Sequence, residues 1–143
     1  MSADGSIELA WAGEDRRFRI GIGEFRSLQE SVNARRVLIS APLVGPAALL
    51  QMLRTNDAWP DDVRDVLKAG LVGGGVTLTE ATKLLIRQFD GKPVLEHTKT
   101  AFLILLAGLV GVPDDEPKSK KKTKTEDKMS RSSSPSSTVT VQQ

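Results

Sequence analysis

From Ser6 onward apolar residues fall on every second position: Ile7, Leu9 and Trp11, then Phe18, Ile20 and Ile22 beyond the turn residues Gly13-Glu14-Asp15. A period of two broken by turn chemistry predicts a β-hairpin. Glu8, Arg17 and Arg19 occupy its opposite face, which is expected to meet water. A lone hairpin is marginally stable, so its apolar face must dock on other elements. Gly21 and Gly23 are expected to end the second strand. The spacing then turns helical, with Phe25, Leu28 and Val32 recurring through EFRSLQESVNARR.

Residues 35 to 45, with VLISAPLVG in their middle, follow neither period, and read equally as a short extended segment or a loop. Pro46 sits where a helix can begin, and Ala47, Leu50, Met52 and Leu53 carry it to about Arg54. After the turn residues Thr55-Asn56-Asp57, Pro60 starts a helix whose stripe is Val63, Val66, Leu67 and Leu71. Gly73, Gly74 and Gly75 break it, with Gly73 or Gly74 expected as the left-handed residue at its end. Thr77 and Glu80 have capping-box spacing ahead of the stripe Ala81, Leu84, Leu85 and Phe89. Following the Asp90–Pro93 turn, a last helix places Val94, Leu95, Thr98 and Phe102 on one side, and its second half is apolar all round. Such a helix is either central or covered by another chain. The expected architecture is α+β: an N-terminal β-hairpin packed on a bundle of about four to five helices.

Composition divides the chain. Residues 1–112 hold the apolar positions that can make one core, whereas 113–143 are rich in Lys, Ser, Thr and Pro, with Met129, Val139 and Val141 the apolar exceptions. That leaves too little apolar surface to offset ordering entropy, and a disordered tail is expected there. The pI of 9.0 belongs to the same segment: 13 Lys and Arg balance 13 Asp and Glu in 1–112, against 7 and 5 in 113–143. With no cysteine, disulfides and thiolate chemistry are excluded. The apolar run Ala101–Val112 is too short to cross a bilayer, and the first residues lack a basic-then-apolar leader. A soluble, cytoplasmic protein with no membrane contact is expected.

Candidate chemistry is sparse. The glycine triplet precedes a helix, as in phosphate loops, but no Lys-Ser/Thr pair follows, and Glu80 stands where an anion would sit. Gly21 and Gly23 follow a strand without the rest of a dinucleotide fingerprint. Asp61, Asp62 and Asp65 partly converge on a helix, yet an exposed acidic first turn that complements the helix dipole explains them better than a metal. His97, the sole histidine, and Glu80 are the last candidates for acid–base work, and capping accounts for Glu80. The expectation is a non-enzyme without catalytic residues, metal or cofactor.

The ordered motifs, RRFRIGIGEFRSLQE, an Ala- and Leu-rich helix, WPDDVRDVLKAGLVGGGV and an apolar last helix, resemble the gene transfer agent family of phage tail assembly chaperones, whose members are also described as tail tube proteins. The resemblance spans roughly residues 4 to 112, and VLKAGLVGGG is its most specific part. The VLISAPLVG insert and the Lys/Ser-rich tail depart from the pattern. The resemblance implies a chaperone that coats the helical tape-measure protein and brings tail tube subunits to it, as part of tail assembly in a phage or prophage. Leu103, Leu106, Leu109 and Val110 are the expected partner-facing residues. The alternative is a small nucleic-acid-associated protein that binds phosphates through its basic tail. That tail has no interleaved aromatics for base stacking. The sequence leaves the oligomeric state open, a homo-oligomer included.

Overall fold

The computed structural model describes residues 4–111, and the 113–143 tail expected to be disordered lies outside them. Strand β1 (Ser6–Trp11) pairs antiparallel with β2 (Glu14–Arg19), setting Ile7 opposite Phe18 and Trp11 opposite Glu14. The turn is Ala12-Gly13 rather than Gly13-Glu14-Asp15. Both residues have positive φ, 58° and 84°, as a two-residue turn matching the strand twist requires. Glu14 is therefore free to pair.

Five helices follow: α1 (Ile22–Leu38), α2 (Pro46–Arg54), α3 (Pro60–Gly73), α4 (Leu78–Gln88) and α5 (Leu95–Val110). Ile22 does not continue the strand alternation. It opens α1 and is 68% exposed, because Gly21 already acts as the N-cap. The Glu24 carboxylate accepts from the Gly21 N–H at 2.8 Å, the carboxylate half of a capping box. At α4, Thr77 Oγ1 accepts from the Glu80 N–H at 3.2 Å, the hydroxyl half.

The undecided segment resolves at Leu38: 35–38 complete α1, and 39–45 form a loop. Ser40, with φ 57°, ends α1 through the paired bonds Ser40 N to Val37 O and Ala41 N to Arg36 O. Asn56 and Gly75 end α2 and α3 in the same left-handed way. The left-handed residue of the triplet is thus Gly75, φ 118°, and not Gly73 or Gly74.

Those two glycines serve close approach instead. A Cβ on Gly73 would lie 1.8 Å from the Arg19 carbonyl oxygen, and one on Gly74 2.1 Å from that of Arg17. One turn earlier, a Cβ on Gly70 would meet Ile104 at 2.8 Å and Phe18 at 3.2 Å. Gly70, Gly73 and Gly74 thus form a bare helix face on which β2 lies. The hairpin is seated through this face and through Phe18, which is fully buried with Leu67, Leu71, Leu85, Ile104 and Leu105. Burial of side chains this size contributes about 1.5–3 kcal/mol each.

The aspartates behave differently from an exposed first turn. Asp61 is exposed, but Asp62 is fully buried, and Asp65 is largely covered. Asp62 accepts from Arg36 through both oxygens, at 3.1 and 2.6 Å, and from Arg35 at 2.7 Å; Arg35 also lies 2.8 Å from Asp65. Arg36 stacks over the Trp59 ring at 4.0 Å. These groups form an ionic clamp between α1 and α3. Burial pushes the Asp65 carboxyl above the usual range, against the pull of Arg35. A second pair, Arg64 to Asp90 at 2.9 and 3.1 Å, ties α3 to the turn after α4 and holds Asp90 below its usual pKa.

Candidate functional site

Helix α5 touches α2, α3 and both strands, so most of it is central. His97, Thr98, Ala101, Ile104, Leu105 and Ala107 face inward. Leu95, expected on the buried side, is 61% exposed, because the inward stripe runs through His97 and Thr98 instead. With about 100° between successive residues, Leu103, Leu106, Leu109 and Val110 share one face centred on Leu106. Burial decreases along it: Leu103 and Leu106 are half-buried, Leu109 is 38% exposed and Val110 73%. The helix end emerges from the core as an apolar surface.

That surface borders an open groove of about 580 Å³ between the first half of α1, the start of α2 and the end of α5. Ile22, Phe25, Pro46 and Leu109 line it, with Arg26, Gln29 and Glu30 on the α1 side. Its floor is bare at Gly108, where a Cβ would meet Ile20 at 3.2 Å and Phe25 at 3.3 Å. Glycine there lets the hairpin exit and the α1 aromatic close on α5. Apolar walls with one cation and one carboxylate at the side suit an apolar side-chain row rather than a phosphate or a small polar substrate.

Of the residues weighed for chemistry, His97 and Asp65 are otherwise engaged. His97 Nδ1 accepts the Trp11 indole N–H at 3.0 Å, and the ring lies 5.1 Å from Phe89. Its Nε2 is buried with no hydrogen-bond partner among the described residues, and burial pushes the imidazole pKa down. The ring is held neutral and joins β1 to α5. Glu80 is exposed at the start of α4, and only its backbone N–H takes part in the cap, so the capping role expected for its carboxylate is not met. Asp65 borders a smaller cleft of about 230 Å³ between α1 and α3, with Ser27, Ser31 and Lys68 around it, but its charge is directed at Arg35. Among the described residues no group of His, Cys, Asp and Glu could hold a metal ion, and no helix is long and apolar enough to cross a membrane.

Sequence reasoning missed Ile22 and Pro46 as groove residues and the Arg35/Arg36 clamp. A signal for the clamp existed. Asp62 stands four residues before Val66 and hence inside the buried stripe of α3, where a carboxylate needs a cationic partner.

Residues 4–111 match the family described as phage tail tube protein, GTA-gp10, and the chain belongs to that family. Comparison with curated proteins and with solved structures finds no match.

Proposed function

We propose that this tail-family protein acts as an assembly chaperone, covering apolar stripes of the tape-measure protein and of tail tube subunits before they are built into the tail. The apolar end of α5, rising from the core beside the groove, carries this reading. An amphipathic helix laid into that groove would bury Ile22, Leu109 and Val110 against its own apolar stripe. Three further features support it. Of the candidate acid–base residues, His97 is held in packing against Trp11 and Phe89 and Glu80 stands exposed away from the groove, so binding rather than chemistry is the proposed activity. Charge in 1–112 balances, so attachment through this part need not rely on phosphate. The hairpin is the one sheet among the described residues, and α3 closes on the β2 carbonyls, so that β2 offers no open edge from which to close a tube wall.

The test is a co-purification of the full chain with tape-measure segments and tail tube subunits, at about 50 and 200 mM salt. Retention at both salts, lost with Leu109→Glu or Val110→Glu, is the expected result. Binding to DNA that falls steeply over that salt range, with no capture of tail proteins, would replace the reading with the nucleic-acid one.

A further inference from the structure

We infer that the chain pairs with a second copy of itself through a different apolar surface, made by the end of α1 and the loop after it. Val37, Leu38, Ile39 and Leu43 are 66, 84, 65 and 67% exposed. These are four large apolar side chains within seven residues. The backbone under them is well held. Asn33 brackets Val44 with two hydrogen bonds, at 2.8 and 3.1 Å, Gln29 adds a third to the Val44 carbonyl, and Ala41 N bonds back to Arg36 O at 2.9 Å. Val44 itself is buried. The loop is thus pinned at both ends while its large side chains are presented outward.

Two observations favour a second copy as the occupant. No charged residue occurs from Val37 through Leu53, a stretch that also includes the exposed Ala47 and Ala48 of α2. In a two-fold contact the groups nearest the axis meet their own kind, so a patch with no charge in it can be set against its copy without like-charge repulsion. The second observation is area. Four such side chains offer roughly 500 Å², at the upper end of what a monomer leaves uncovered. Two copies would remove up to about 1,000 Å² in all, near the lower limit for a specific interface, as suits a weak, concentration-dependent dimer. The centre of this surface lies away from the α5 groove, although both reach the start of α2: Ile22 and Leu38 stand at opposite ends of α1, about 24 Å along its axis.

Sedimentation velocity of the full chain from about 1 to 200 µM tests this. A concentration-dependent monomer–dimer equilibrium is expected. Leu38→Glu should raise its dissociation constant at least ten-fold with unchanged circular dichroism, since the side chain makes little contact within the fold, and Leu109→Glu should leave it unaltered. Because the chain has no cysteine, Leu38→Cys supplies an independent readout, with oxidation expected to give a covalent dimer in high yield. A chain that stays monomeric throughout, as it would if another protein or a lipid surface covers this patch, overturns the inference. So does a dimer insensitive to Leu38→Glu, or one broken by Leu109→Glu.

Discussion

Replacing Gly73 with alanine would set a methyl carbon 1.8 Å from the Arg19 carbonyl oxygen and 2.8 Å from its carbon. Cβ atoms essentially never come closer than 3.0 Å to a neighbour, so α3 and β2 must separate by more than an ångström. The obstacle is backbone on a paired strand and cannot rotate away. Overpacking costs about 1–3 kcal/mol where side chains can adjust, and this contact belongs at about 3. Alanine returns up to about 1 kcal/mol of helix propensity, leaving a net loss of about 2 kcal/mol. In a domain this size that corresponds to a melting point lowered by about 8–16 °C. Gly23→Ala is the control: an added Cβ there meets nothing within 4 Å on a helical backbone, and a gain of about 0.5 kcal/mol is expected. Urea unfolding followed by tryptophan fluorescence reads both, since Trp11 lies in the hairpin. If Gly73→Ala unfolds at the wild-type midpoint, the bare helix face does not seat the hairpin, and the reading of the triplet is wrong.

Removing the carboxylate in Asp62→Ala strands the buried Arg36 guanidinium and should cost about 3–5 kcal/mol, whereas Asp62→Leu combined with Arg36→Met should recover much of it in the same unfolding assay. His97 gives a pH prediction. Burial lowers its folded pKa below the unfolded value of about 6.5, so protons favour the unfolded chain. Stability is complete above about pH 6.5 and falls as acidification carries the pH from there toward the folded pKa; His97→Gln should flatten that segment of a melting-point profile. Ending the chain after Val112 should leave the melting temperature within a degree or two of the full chain by calorimetry, and unfolding on truncation would contradict the 1–112 boundary.

What could be read from the sequence follows from the range of the forces involved. Helix starts at Pro46 and Pro60 and the break near Gly75 depend on a few adjacent residues, and they fall where the prolines and glycines put them. Ile22 fitted the strand period equally well, and only the Gly21 cap, closed by Glu24, removes it from the sheet. Asp62 was misread because its partners, Arg35 and Arg36, come from 27 and 26 positions earlier in the chain. Gly73 and Gly74 suggested a left-handed helix end; their contacts with β2 appear once the hairpin is folded back on α3. At the candidate site, the all-apolar second half of the last helix was legible, but not which of its residues stay exposed: Leu103 and Leu106 are half-buried, Leu109 and Val110 exposed. The groove beside it was not legible, since Ile22 and Pro46 reach it from distant parts of the chain.

Apolar docking by the surface around the end of α5 is tested most directly by titration calorimetry of the full chain with tape-measure segments, repeated at several temperatures and two salt concentrations. The prediction is a clearly negative heat-capacity change, an affinity nearly independent of salt, and loss of both signals with Leu109→Glu. A heat-capacity change near zero with affinity falling steeply as salt rises would contradict it.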